Sequence, residues 1–143
     1  MKIFESYLIF IWLITIVVAE TTPRSISKSS FEKPVFKNTS DGKLLMELGK
    51  REEADTLDTT LEINLYKGNK DEQVVRPLRE HKITMLSIKY PKKFKANVSL
   101  PWTDNGILRE ATVFITPEKD APKTNLFYEV NVFGKRMKEN EKI

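Results

Sequence analysis

Two segments near the C-terminus decide the fold class: ILREATVFITP at residues 107–117 and NLFYEVNVF at residues 125–133. Apolar and polar residues alternate in both segments, as they do in strands that have one face in the core and one face in water. Each segment therefore predicts a half-buried β-strand. In the second segment, the side chains predicted to face the core are Leu126, Tyr128, Val130 and Val132.

The same alternation predicts further strands upstream, each stopped by turn residues or a proline. Asp104-Asn105-Gly106 is a strong hairpin signal, because Asn-Gly accepts the positive φ angles of a tight turn. It predicts that a strand at 94–100 is joined directly to a strand at 107–116. The other strands are predicted at 61–65, 73–76 and 83–90.

About seven strands separated by turns predict an all-β protein, either a sandwich or a barrel. An antiparallel β-sandwich, immunoglobulin-like or similar, is favoured at this length. Residues 43–58 are ambiguous between helix and strand. Leu44, Leu45, Leu48 and Leu57 loosely fit one helical face, but Gly49 interrupts that pattern.

The N-terminal segment predicts a secretory signal peptide at residues 1–19, cleaved after Ala19. Its apolar run from Tyr7 to Val18 is shorter than the ~20 residues of a membrane-spanning helix. A polar, Ser- and Thr-rich stretch at 20–33 predicts a flexible arm. A single β domain at 34–133 and a loose charged tail at 134–143 complete the predicted organisation.

Composition further narrows the class of protein that the sequence can encode. The chain has 143 residues, a net charge of +4 and no cysteine. A small secreted domain without disulfides must hold its fold through its core alone, and a chain of this length can bury enough surface for one such core. The charges of both signs are mixed along the chain, which indicates an ordinary solvated surface.

The residues for most catalytic chemistry are missing. The single histidine, His81, is predicted to be a solvated residue between strands, and there is no thiol and no Gly-x-Ser-x-Gly elbow. One imidazole cannot build a zinc site. We therefore expect no enzyme, no metal and no cofactor. A cluster of carboxylates is interpreted as a wet face or loop; its members are Glu52, Glu53, Asp55 and Asp58.

Two N-glycosylation sequons occur, Asn38-Thr39-Ser40 and Asn97-Val98-Ser99. In a secreted chain both are predicted glycan sites. Asn97 is expected to point outward, because its neighbours Ala96 and Val98 are expected to point into the core.

A glycine followed by a dibasic pair occurs twice, as Gly49-Lys50-Arg51 and Gly134-Lys135-Arg136. Together with the signal peptide, these tripeptides resemble the processing sites of secreted peptide-hormone and neuropeptide precursors. The resemblance implies cleavage at both sites and amidation of the released peptides. The alternative interpretation is structural: Gly134 ends a strand, and the two basic residues after it are solvated.

A third feature is the run KYPKKFK at residues 89–95, in which lysines are interleaved with aromatic residues. Such a run predicts a basic patch for an anionic glycan or another anionic surface, and its alternative is a solvated turn. Nucleic acid is not expected as the partner of a secreted protein. The predicted patch consists of Lys89, Lys92, Lys93 and Lys95.

Pro101-Trp102-Thr103 resembles one loop of the chagasin-like cysteine-protease inhibitors, which are also disulfide-free immunoglobulin-like sandwiches. The resemblance implies that Trp102 is a loop anchor for a protein partner. The sequence thus favours a secreted, non-enzymatic protein that binds an extracellular protein or an anionic glycan through a loop end that carries Trp102 together with the basic patch. A processed precursor and a protease inhibitor are the alternatives.

Overall fold

The computed structural model describes residues 30–142, so the predicted signal peptide and residues 20–29 of the predicted arm lie outside the described residues. The described chain forms two antiparallel sheets. One sheet has five strands in the order β1-β2-β5-β8-β3, and the other has three in the order β4-β7-β6. The predicted antiparallel β-sandwich is confirmed.

Eight strands build the two sheets, one more than expected. Their bounds are β1 Val35–Asn38, β2 Lys43–Gly49, β3 Thr56–Leu65, β4 Asp71–Val75, β5 His81–Pro91, β6 Phe94–Ser99, β7 Ala111–Pro117 and β8 Leu126–Arg136. Short 3-10 turns occur at Tyr66–Gly68 and Glu139–Glu141. No helix among residues 30–142 is long and apolar enough to cross a membrane.

The core lies between the sheets, and the alternating residues of the central strands fill it. Leu86 and Ile88 of β5 pair with Val132 and Val130 of β8, and all four side chains are fully buried. Burying each of these side chains contributes roughly 1.5–3 kcal/mol to stability. The predicted inward face of the last strand is therefore the observed one.

The ambiguous segment 43–58 is not helical. Leu44, Met46 and Leu48 alternate toward the core as β2, whereas Leu45 lies on the opposite face of that strand. A helix would instead have grouped Leu44, Leu45 and Leu48 on one side. Residues 50–55 form a loop, and β3 begins at Thr56.

The predicted hairpin at Asp104-Asn105-Gly106 does not join its strands directly. β6 and β7 are paired, but the register ends at Ser99 and Thr112, and residues 100–110 connect them. Gly106 has the expected positive φ of 77° and donates its N–H to the Thr103 carbonyl at 2.9 Å. The turn is therefore local to a longer loop, and residues 107–110 are not part of the strand.

That loop is hydrogen-bonded to the start of β5. The carbonyl oxygen of Leu108 accepts a hydrogen bond from the N–H of Ile83 at 2.7 Å, and the Leu108 side chain is buried. Its apolar residues are thus core residues without being strand residues, which is why alternation alone placed them in β7.

The last strand continues past its expected end at Phe133. Lys82 and His81 of β5 pair with Lys135 and Arg136. The chain after the strand is also held, because Met137 is buried and donates its N–H to the Glu80 carbonyl at 2.8 Å. Glycine at 134 therefore does not stop the strand, and residues 134–136 belong to the sheet rather than to a loose tail.

Gly134 sits beneath a β-bulge. The register of β3 shifts between Leu57 and Thr59, which turns Asp58 inward until its side chain is fully buried. A Cβ atom on residue 134 would overlap the Asp58 carboxylate. Only glycine leaves the space that this buried carboxylate occupies.

We expect Gly134→Ala to lower the free energy of unfolding by about 2 to 3 kcal/mol, the usual cost of overpacking. Gly42→Ala is the control, because Gly42 has a positive φ of 79° and open space around it. Its cost should be about 1 kcal/mol, from backbone strain alone. Urea unfolding followed by tryptophan fluorescence measures both, and equal losses in the two variants would contradict the steric explanation.

Candidate functional site

The up-and-down course of the strands divides the loops between the two ends of the sandwich. One end, which we call the lysine end, is formed by the loops at 39–42, 66–70, 92–93 and 118–125. The opposite end, which we call the tryptophan end, is formed by the loops at 50–55, 76–80 and 100–110 and by residues 137–142.

The two ends differ in charge. The four loops of the lysine end carry six lysines and three acidic residues, whereas the segments of the tryptophan end carry seven basic and eight acidic residues. The positive charge of the described chain is thus concentrated in the loops at one end. Such a concentration attracts anions and speeds their association.

A shallow groove of about 430 Å³ marks the lysine end. Lys67, Lys119 and Lys123 line it, together with Glu118. The 66–70 loop is fixed there, because Lys67 adopts a positive φ of 52° and its N–H donates to the Asn125 side-chain oxygen at 2.9 Å. The groove is therefore built from two loops that are remote in sequence.

The turn between β5 and β6 lies beside this groove. Its flanking residues Pro91 and Phe94 are buried, which leaves Lys92 and Lys93 exposed at its tip. The carbonyl oxygen of Lys93 accepts a hydrogen bond from the N–H of Glu118 at 2.8 Å and so ties the turn to the 118–125 loop. Sequence and structure agree that this turn is basic.

One lysine of the turn is paired. Lys93 Nζ lies 2.7 Å from Asp120 Oδ2, and both side chains are more than half exposed. Hydrogen bonding in this pair raises the pKa of Lys93 and lowers the pKa of Asp120. Water screens so exposed a pair, so its contribution to stability is small.

The other two members of the predicted basic patch lie apart from the turn. Lys89 is on the outer face of the five-stranded sheet, 3.0 Å from Asp41, and Lys95 is exposed on the outer face of the three-stranded sheet. The pKa of Asp41 falls to about 2, through its hydrogen bond from Thr39 and then through Lys89. Alternation places Lys89 and Lys95 on opposite faces of the sandwich, so the patch is not one continuous surface.

The fold replaces that patch with a different set of lysines. Within residues 30–142, six exposed lysines at or near this end form no ion pair: Lys67, Lys70, Lys92, Lys95, Lys119 and Lys123. Four of these lysines, Lys67, Lys70, Lys119 and Lys123, were not predicted, because no short run of the sequence brings them together. The signal that predicts their proximity is the alternating direction of successive strands, which places every second loop at the same end of the sandwich.

Trp102 does not belong to the lysine end. Strand β6 separates it from Lys92 and Lys93, and six strand residues span ~20 Å. The expected single surface formed by Trp102 and these lysines is therefore wrong. Nor is Trp102 an exposed anchor: it is partly buried, and its ring meets that of Phe31 edge-on, with the centroids 5.3 Å apart.

A second cavity, of about 300 Å³, lies at the tryptophan end. Lys50, Lys82 and Lys135 line it, but two of them are neutralised. Lys135 is 3.1 Å from Glu52, and Lys82 is 2.5 Å from Glu141. This cavity has mixed charge and offers an anion less than the lysine end does.

The two Gly-Lys-Arg tripeptides have structural roles. Gly49 ends β2 with a φ of 85°, and a Cβ atom there would overlap the Thr84 carbonyl and the Phe31 ring. Lys50 donates its N–H to the same Thr84 carbonyl at 3.0 Å. Arg51 is exposed in the following loop, with its guanidinium 4.8 Å from the centre of the Phe133 ring.

The second tripeptide is less accessible than the first. Gly134, Lys135 and Arg136 are the last three residues of β8; Gly134 is paired with both β3 and β5, and Lys135 and Arg136 are paired with β5. Proteases bind their substrates in extended form with free backbone groups, whereas this backbone is engaged in the sheet. Cleavage after Arg136 requires β8 to detach.

Both sequons are on exposed strand residues. Asn38 is the last residue of β1, and Asn97 lies in the middle of β6. Asn97 is exposed while Ala96 and Val98 are partly buried, which is the orientation expected from the alternation.

His81 is not the solvated loop residue that was expected. It begins β5, and its Nδ1 lies 2.9 Å from the buried carboxylate of Asp58. The same carboxylate accepts the N–H of Leu78 at 3.1 Å. The Thr56 hydroxyl also donates to this carboxylate, at 2.5 Å. The arrangement ties the start of β3 to the start of β5.

The acidic cluster is dispersed by the fold. Glu52 pairs with Lys135 and Glu53 is exposed, whereas Asp55 and the Asp58 side chain are buried. Glu52, Glu53 and Asp55 lie in the loop at 50–55, as one of the two interpretations had it. The two aspartates are not solvated, because Asp55 closes its own turn on the N–H of Glu52 and Asp58 occupies the bulge. No group of three potential metal ligands occurs among residues 30–142.

Comparison with known proteins finds no relative: no protein-family model, no curated protein and no solved structure matches this chain.

The folded chain should be cut by a dibasic-specific protease much faster after Arg51 than after Arg136. Cleavage in β8 requires local unfolding, which makes it slower by on the order of a hundredfold or more. Mass spectrometry of a time course measures both sites. Two synthetic peptides that span the sites, which should be cut at similar rates, are the control, and equal rates in the folded protein would contradict the assignment.

Proposed function

We propose that this chain is a secreted, non-enzymatic binding protein that takes an anionic glycan at its lysine end. The observation that supports the proposal best is the charge difference between the two ends of the sandwich. Among residues 30–142, six exposed lysines without ion-pair partners lie at or near one end, where there is an open groove. At the other end basic and acidic residues nearly balance.

The chemistry of lysine fits such a ligand. An ammonium group on a flexible stem is a mobile point charge, which suits a flexible chain of sulfates or carboxylates better than a single fixed anion. Exposed charges of this kind bind through long-range attraction that salt screens within about 10 Å. We therefore expect affinity to depend strongly on ionic strength.

Secretion and N-glycosylation are part of the proposal. The apolar N-terminal segment with Ala19 at its end supports export, and the exposure of Asn38 and Asn97 supports modification there. A free cysteine would be a liability in an oxidising compartment, and the chain has none.

The two alternatives have weaker support. A peptide precursor needs cleavage at Arg136, which is engaged in the five-stranded sheet. An inhibitor that uses Trp102 as its anchor needs that side chain to be presented to a protease, and it instead packs against Phe31. We favour the binding protein for these reasons.

The test replaces three lysines of the lysine end together, Lys92→Gln, Lys119→Gln and Lys123→Gln. Each lost contact is worth roughly 0.5–1 kcal/mol, so affinity for heparin should fall by about tenfold to a hundredfold. Isothermal titration at 50 mM and 150 mM salt measures the affinity and its salt dependence, both of which should decrease.

The matched control changes the tryptophan end, with Lys50→Gln, Arg79→Gln and Arg109→Gln. Both triple variants carry the same net charge, so a difference between them reports where the charge lies. We expect the control to lose less than threefold. Equal losses in the two variants would show that heparin senses net charge alone, and no binding by the unaltered chain at 50 mM salt would refute the proposal.

A further inference from the structure

Among residues 30–142, the sandwich is open along one edge, because its two sheets differ in width. Within that range strand β1 is hydrogen-bonded only to β2, and all four of its residues are exposed. Phe36 pairs with the buried Met46 and so points to the inner side of the sheet. It is nevertheless 56% exposed, since no strand of the narrower sheet covers it.

An apolar groove of about 190 Å³ runs between β1 and β6 at this edge. It is lined by Phe36, Met46, Leu48, Ala96, Val98 and Leu100, among others. An exposed strand with free backbone groups beside an apolar groove is a template for pairing with another chain.

The opposite edge of the sandwich, in contrast, is closed. There β3 continues through a short turn into β4 of the other sheet, and Thr59 Oγ1 donates to the carbonyl oxygen of Arg76 at 2.9 Å. The chain itself thus bridges the two sheets on that side. At the β1–β6 edge the two strands are not hydrogen-bonded to each other, although Phe31, just before β1, reaches across to pack against Trp102.

Both N-glycosylation sequons of the chain lie on the two strands that border the open edge. Asn38 is two residues from Phe36, so the two side chains leave the same face of β1. Asn97 belongs to β6 and borders the groove, with its side chain on the outer face of the three-stranded sheet. No other Asn-x-Ser/Thr sequence occurs in the chain.

We propose that N-linked glycans on Asn38 and Asn97 cover the β1–β6 edge and prevent a second copy of the chain from adding to β1. A glycan is bulky and hydrated, so it shields the groove and the free strand edge without packing into the core. The inference rests on the proposed secretion, but it is independent of the lysine end and of its ligand.

The test compares two double variants secreted from eukaryotic cells. Ser40→Ala with Ser99→Ala removes both sequons without changing either asparagine, whereas Ser40→Thr with Ser99→Thr keeps both. Ser40 and Ser99 are exposed, so the fold should tolerate either change. Light scattering coupled to gel filtration gives the mass of each form over a range of concentrations.

We expect the threonine variant to carry two glycans and to remain monomeric, and the alanine variant to reach at least the mass of a dimer. Enzymatic removal of the glycans from the folded, unaltered chain should produce the same association, which covers the case of an alanine variant that is not secreted. Adding Phe36→Lys to the alanine variant should restore the monomer, because the charge blocks the edge.

A deglycosylated chain that stays monomeric at every concentration would overturn the inference. So would association that Phe36→Lys leaves unchanged, or a secreted threonine variant without glycans. Heparin binding by the threonine variant reports on the lysine end alone. Failure of that function and failure of the glycan cover are therefore distinguishable.

Discussion

The buried carboxylate of Asp58 is the contact on which the central sheet depends. It occupies the space above Gly134, accepts the N–H of Leu78, and meets the imidazole of His81. A buried carboxylate is costly unless it is fully hydrogen-bonded, and these partners come from the β4–β5 connection and from the first residue of β5. One side chain thereby sets how β3, β5 and β8 meet.

The pairing of β3, β5 and β8 also determines which charged loops lie close together. With β8 and β5 fixed side by side, the chain runs alternately up and down, and the loops at 66–70, 92–93 and 118–125 come together at one end. Their lysines are far apart in sequence and owe their proximity to the strand order. The proposed binding surface is thus a consequence of topology, while the core beneath it provides rigidity.

Much of the fold follows from period-two alternation. The inward residues of β5 and β8, such as Ile88 and Val130, were predictable because only one face of each strand is apolar. The bulge at Asp58 was not predictable, because the local sequence pattern does not distinguish a buried aspartate from a solvated one. Gly134 was therefore assigned to a strand end, and the lysines at 67, 119 and 123 were missed because no local run contains them.

The most direct test of the central claim is a map of amide chemical shifts during titration with a sulfated oligosaccharide. We predict that the largest changes fall at residues 66–70, 92–95 and 118–125, and that they diminish as salt is raised. Changes centred on residues 50–55 and 100–110 would contradict the assignment of the ligand to the lysine end.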